Sequence, residues 1–414
     1  MKTLRPSISG LMFFFAAIFS LTQCHKDEIS SKPDENSKIK DDFVVSAKEA
    51  IEVAQQFTLT NGKGNMDPNA RVGAVMEVTG QQTVLDSADQ KPLIHVINLK
   101  KGYAIVSADL RAMPVIAFSE DGKFDLNDVP NGVNLWLQSA KEKLKEIKQK
   151  NFKSNDIVNK EWRKYLSDKN GRVQDTNCIE WYQYGQFQCQ GRFTTFGPLL
   201  NTGWTQSGVS SSMLMPGFKD CDGCGRYLAG CGPVAIAQID EFYHPNPDRP
   251  RATSSGNCGS MLPGQQSLGN LMKWAGYYSS ANYDYLGTCN TMTWPSDIPN
   301  GFTGLGYSSG GTSYAANNYE KIKIDLTGNH PVVFSGSTCL TCFNDYHIWV
   351  CDGLRENNYS EFNCATKTCN EWSFSYLHMN WGWNRLNDWY AFGSYHPDGA
   401  NYDANMKVIT GIRP

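Results

Sequence analysis

Twelve of the thirteen cysteines in this 414-residue chain lie after residue 177, and none falls between residues 25 and 177. Such a chain divides into two kinds of structure. Residues 43–150 have no cysteine and must hold their shape by packing alone. The later part carries Cys178, Cys189, Cys221, Cys224, Cys258, Cys289, Cys339, Cys342, Cys364 and Cys369, enough for five bridges, whose connectivity spacing leaves open. Cys351 sits in the apolar run Ile348-Trp349-Val350-Cys351 and is expected as a buried free thiol.

Bridges require an oxidising compartment, and the first residues supply the route to one. Lys2 and Arg5 precede an apolar stretch from Leu11 to Leu21, too short to span a membrane but suited to a signal peptide over residues 1–23. The closing Leu21-Thr22-Gln23-Cys24 has the form of a bacterial lipobox, so Cys24 is expected to be the lipidated first residue of the mature protein. His25-Lys26-Asp27-Glu28 resembles the acidic tag that sends some lipoproteins outward. The expectation is an outer membrane lipoprotein exposed at the cell surface, or secreted after processing, with the membrane as partner through its anchor. Residues 24–42 are polar and read as a flexible tether. A net charge of −3 carries no nucleic-acid footprint.

Within residues 43–150, Ser46 is placed to cap a helix from Lys48 to Phe57. Val72–Val78, Leu93–Leu99 and Tyr103–Ser107 read as strands, the last two joined by the turn Lys100-Lys101-Gly102. Val133, Leu137, Ala140, Leu144 and Ile147 recur at helical spacing and predict an amphipathic helix ending near Lys150. This is a small α+β unit. Residues 151–193 are charged, then aromatic and Gln-rich without sustained periodicity, and read as a linker and cleavage region. From 194 to 414 the chain is rich in Gly, aromatic residues and Cys.

Cys231 opens the run Cys231-Gly232-Pro233-Val234-Ala235-Ile236-Ala237-Gln238-Ile239, a thiol at the mouth of a helix. Pro233 suits a first turn, Ile236, Ile239 and Tyr243 keep helical spacing, and Pro245 follows the end. Gly230 and Gly232 leave space beside the sulfur. The unpaired backbone N–H groups and the positive end of the helix dipole favour thiolate, the nucleophilic form.

A cysteine hydrolase also needs a base, a group that orients it, and an oxyanion donor. His347 opens an apolar strand 116 residues after Cys231 and is the candidate base. Asn380, in Met379-Asn380-Trp381-Gly382-Trp383, can accept from the far ring nitrogen, with Trp381 shielding that bond from water. His378 shares a strand face with Asn380 and is the rival base. Gln206, about two dozen residues before the cysteine, can supply the second oxyanion donor beside the Cys231 amide.

These runs, with Asn329-His330-Pro331-Val332-Val333-Phe334-Ser335-Gly336, resemble the streptopain group of papain-like cysteine proteases. Gly102-Tyr103-Ala104-Ile105-Val106-Ser107-Ala108-Asp109 resembles that group's inhibitory propeptide. The resemblance spans residues 43–414. It implies an α+β architecture: a small propeptide domain (43–150) followed by a two-lobed papain-like catalytic domain (194–414), one lobe helical and one antiparallel β. It implies a cysteine endopeptidase made as a zymogen, acting on protein or peptide substrates through a thioester and inhibited in cis by its propeptide. By it Cys231 is the nucleophile, His347 the base, Gln206 the oxyanion donor, and Asn380 with Trp381 the orienting pair. No cofactor or metal is implied. Three departures stand out: Gly232-Pro233 after the cysteine, Asn384-Arg385 where the group has a glycine, and the insertion from Asn357 to Trp372.

Other classes fit less well. In a redox or metal-binding protein Cys221-Asp222-Gly223-Cys224 and Cys339-Leu340-Thr341-Cys342 could imitate a four-thiolate zinc site, but an exported chain disfavours the metal role, and no strand–CxxC–helix pattern of thioredoxin type is present for the redox one. The remaining alternative is a papain-fold surface lipoprotein that is catalytically idle, as an adhesin or inhibitor, or that transfers acyl groups, as a transglutaminase does.

Overall fold

The computed structural model describes residues 43–61, 76–153, 156–166, 189, 192–215, 217, 220–254, 257–258, 262–337, 346–363, 366, 368–391 and 406–414. Cys24, the signal segment and the tether lie outside them. Phe43–Pro414 forms one compact unit.

The N-terminal portion opens with α1 (Ala47–Asn61), followed by the strands β1 (Val78–Leu85), β2 (Pro92–Leu99), β3 (Tyr103–Ser107) and β4 (Val115–Ser119), then α2 (Asn131–Gln149) and α3 (Asp156–Tyr165). Ser46 caps α1 as its sequence implies: its N–H and hydroxyl donate to Glu49 at 2.7 Å, while its Oγ accepts from the Glu49 amide. The first strand lies later than expected. Val78–Leu85 carries Thr79, Gly80, Gln81, Gln82 and Thr83, too polar to announce itself, and is tolerated because it is the edge of the sheet. Of the expected Val72–Val78 strand, residues 72–75 lie outside the described residues.

The expected linker also holds structure. α3 falls inside residues 151–193, where Val158, Trp162 and Tyr165 are buried, and the Trp162 Nε1 donates to the Ala112 carbonyl at 2.8 Å. Their helical spacing is hidden in the sequence by the surrounding charges.

The remainder begins with β5 (Arg192–Phe196). A helical lobe follows, with α4 (Cys231–Tyr243), α5 (Pro263–Tyr278) and α6 (Ile298–Gly304). Then come β6 (Ser309–Ala315), α7 (Tyr319–Thr327), β7 (Val332–Gly336), the long hairpin β8 (His347–Asn363) with β9 (Thr368–Asn380), β10 (Asp388–Ala391) and β11 (Lys407–Arg413). Among the described residues these strands form one sheet ordered β1-β2-β3-β4-β10-β9-β8-β7-β11-β6, with β5 on β8.

The seam is β4 on β10, antiparallel, with Phe118 opposite Trp389 and Ala117 opposite Tyr390. Side chains bridge it on both faces. Tyr103 donates its hydroxyl to Asp388 at 2.9 Å, and Tyr376 donates to the Val115 carbonyl at 3.0 Å. The Trp136 Nε1 donates to the Ala391 carbonyl, and the rings of Phe118 and Tyr376 meet edge to face at 5.0 Å. One apolar cluster therefore runs from Val45 and Ile94 through Trp136 to Trp349, Trp381 and Tyr390. The two domains read from the sequence share a core.

Cys189 is bridged to Cys369, Cys221 to Cys289, and Cys224 to Cys258, while Cys231 and Cys351 are buried free thiols. Cys178, Cys339, Cys342 and Cys364 lie outside the described residues.

If the seam is a packed core, Phe118→Ala should destabilise the full chain by about 3–5 kcal/mol, the usual cost of emptying a buried aromatic site. Urea denaturation measures this. A change within ~0.5 kcal/mol, the range of surface substitutions, would mean that the seam carries little of the fold.

Candidate active site

Cys231 is the first residue of α4, reached through Gly230 at φ +92°, a conformation that favours glycine. The two flanking glycines do not leave room beside the sulfur, as the sequence suggested. A Cβ at Gly230 would strike Thr291 and one at Gly232 would strike Thr293, so both glycines admit the passing segment 291–293.

The sulfur faces β8. The backbone N–H of Ile348, the residue after His347, points at it together with the amides of Gly232 and Cys231 itself. Residues 231 and 347–348, remote in sequence, are thus neighbours. The expectation of a thiolate is not met in this state. Burial dominates and pushes the thiol up to about 11, against the downward pull of those three amides. Cys231 is held as a neutral thiol.

His347 is also neutral. Burial pulls its pKa down to about 4, and the Trp381 carbonyl offsets this only in part. Its Nε2 lies 2.8 Å from that carbonyl, which can only accept. Nε2 therefore carries the proton, and Nδ1 keeps the lone pair that a general base needs. The ring stacks between Trp349 at 6.0 Å and Trp383 at 6.4 Å.

The expected bond from Asn380 to His347 is not made. The Asn380 Oδ1 accepts from the Gln238 Nε2 at 3.1 Å and from the Gly382 amide at 3.2 Å, and its Nδ2 donates to the Thr202 carbonyl at 2.8 Å. The orienting acceptor is the backbone of Trp381. No residue pattern announces this, because a main-chain carbonyl has no residue type. Gln238, two turns into α4, is likewise hidden in sequence by the apolar helix around it. Gln206 is half-buried, and its carbonyl accepts from the Ala229 amide at 2.7 Å, which ties its segment to the turn before Cys231.

His378, the rival base, is used elsewhere. Its Nδ1 lies 2.6 Å from Asp352 Oδ1 and its Nε2 lies 3.0 Å from the Asn387 carbonyl. Two acceptors require two protons. Burial opposes that charge, but the Asp352 carboxylate outweighs it and the pKa is raised. An imidazolium cannot accept a proton from a thiol.

Over the site lies the first turn of α2. A Cβ on Gly132 would come within 2.4 Å of Trp381 Cε3 and 2.5 Å of His347 Cδ2, so only glycine lets the helix sit this close to the imidazole. The N-terminal portion is a plug that keeps water from His347.

No four-thiolate site forms among the described residues. Cys221, Asp284 and Cys289 cluster, but both sulfurs are spent in their bridge and offer no thiolate.

Residues 43–144 match the profile of the Spi protease inhibitor family, and residues 250–390 match that of the Peptidase C10 family. The second match takes in His347 and Asn380 and begins after Cys231. No curated protein matches the chain. A solved fragment of Prevotella intermedia prointerpain A superposes with a TM-score of 0.50 at 16% identity, covering 81% of this chain and 99% of that one. The two family matches bear out the resemblance to the streptopain group: the chain joins an inhibitory propeptide to a peptidase. The structural likeness bears out the fold, a propeptide domain ahead of a papain-like one.

A buried neutral thiol, with a neutral imidazole sealed under Gly132, predicts slow alkylation. In the precursor at pH 8, Cys231 should alkylate roughly a hundredfold or more slowly than an ordinary cysteine and accelerate as pH rises toward its pKa. Gly132→Val, which cannot seat, should speed labelling at pH 8. Mass spectrometry of iodoacetamide-treated protein reads both, and equal rates in the two proteins would remove the plug.

Proposed function

We propose that this peptidase is a cysteine endopeptidase, held latent by its own propeptide and anchored at the cell surface by a lipid on Cys24. The observation that carries the chemistry is the meeting of the Cys231 sulfur with the Ile348 amide at the start of the His347 strand. The same three amides that face the thiol would stabilise a thiolate once burial is relieved.

Removal of the propeptide admits water to His347 and Cys231 and lowers the desolvation cost of charge on both. A proton then passes from Sγ to Nδ1, the nitrogen left free by the Trp381 carbonyl. The thiolate attacks the peptide carbonyl carbon. The resulting oxyanion takes hydrogen bonds from the Cys231 amide and the Gln206 side chain. Its collapse breaks the C–N bond, with His347 giving its proton to the leaving amine, and leaves a thioester. Water, deprotonated by His347, attacks the thioester. The C–S bond breaks and the thiol is restored. Trp381 acts by holding the imidazole through its carbonyl. Asn380 is anchored to Gln238 and Thr202 in the precursor and is free to turn toward His347 only if those bonds break.

Two experiments test this reading. Cys231→Ala should abolish hydrolysis of casein, a loss on the order of 10⁴-fold or more, and should leave the precursor uncut. Turnover by that variant at the parent rate would refute the nucleophile. For the anchor, growth with a fatty-acid analogue should label the parent and not Cys24→Ser. An unlabelled parent would remove the lipid.

A further inference from the structure

The turn after Trp381-Gly382-Trp383 is where this chain departs from the streptopain pattern, and the departure has a partner. Arg385 forms a two-pronged ion pair with Asp128 of the propeptide: Nη2 donates to Oδ1 at 2.9 Å, and Nη1 pairs with Oδ2. Asp128 lies four residues before Gly132, the residue seated on His347. Four residues span at most about 14 Å. The guanidinium is therefore within a short peptide's reach of the reacting centre, along a path that the propeptide now fills.

The turn is fixed from several sides. The Leu386 carbonyl accepts from the Tyr390 hydroxyl at 2.7 Å, and the Asn387 side chain accepts from the Trp381 amide at 3.0 Å. The Asn387 carbonyl accepts from His378. Asn384 lies against Gly203, filling the place where a side chain there would go, three residues before Gln206. Arg385 is thus presented by a turn tied to Trp381, whose carbonyl holds His347, and packed on Gly203, three residues before Gln206. Its guanidinium remains nearly half exposed even when paired.

We infer that Arg385 is a specificity-determining residue: in the activated enzyme it binds a carboxylate side chain of the peptide substrate, and Asp128 occupies that subsite in the precursor. The substrate class is peptides with Asp or Glu some three to five residues from the cleaved bond. A guanidinium fork matches a carboxylate in geometry as well as charge, which gives direction to the preference. The inference rests on the peptidase reading above.

The test uses the full chain after activation and internally quenched peptides with one neutral core sequence. A single Asp is placed in turn at each of five positions on either side of the cleaved bond. Matched peptides carry Asn or Lys there. At one position the Asp peptide should exceed the Asn peptide by about threefold to tenfold in kcat/KM. Arg385→Gln should bring that ratio to about one, and Arg385→Glu should make the Lys peptide the better substrate. Because each ratio is taken within one protein, partial loss of folded enzyme cancels. Ratios that are the same in all three proteins at every position overturn the inference while leaving the peptidase standing. Failure of the parent to cut any peptide overturns both.

Discussion

The antiparallel seam between β4 and β10 is the constraint on which the rest of the molecule depends. A sheet edge presents unpaired N–H and C=O groups, and two edges satisfy one another when their registers agree. Here that agreement aligns Phe118 with Trp389 and Ala117 with Tyr390, so the propeptide sheet continues into the peptidase sheet. Tyr103 on Asp388 and Trp136 on Ala391 lock the junction from the face that carries Tyr390, and Tyr376 on Val115 locks it from the other. With the seam set, α2 has one place to lie, and its first turn comes down on His347.

Latency then follows from dielectric environment. The sulfur already meets the start of the His347 strand at the Ile348 amide, and three backbone amides are aimed at it. What is missing is water. Burial raises the thiol and lowers the imidazole, so the pair rests as two neutral groups, whereas nucleophilic attack needs a thiolate. A plug that excludes solvent inhibits without distorting the helix that carries the cysteine. Its closeness depends on a single missing methyl group at Gly132.

Polar groups around the site divide between holding and reacting. His378 is bound at both nitrogens and so is committed to charge, with Asp352 also accepting the Leu200 amide at 2.9 Å. That pair ties the entry of the helical lobe to the β8–β9 hairpin. His347 has one nitrogen committed and one spare. The two histidines differ in the count of acceptors they meet, two at His378 and one at His347.

Much was legible in the chain. Ser46 announced a capped helix, and the 3.6-residue spacing of Val133 to Ile147 announced another. Cys231, Pro233 and the apolar run behind them marked a thiol at a helix start, and Cys351 was expected buried and free. Short-range rules suffice for these because capping and periodicity are local. They failed at β1, whose polar residues suit an edge strand, and at α3, whose buried face is masked by charge.

By itself the sequence determined which chemistry the chain can carry: a thiol, an imidazole, carboxamides and a main chain able to bring them to element ends. Tertiary structure alone decided how they are used. It set the proton on His347 Nε2 through a carbonyl that belongs to no residue type, turned Asn380 toward Gln238, and held Cys231 protonated by enclosing it. It also set Arg385 opposite Asp128. Each outcome depends on which atoms meet across long separations and how much water remains between them, and neither is written in the order of the residues.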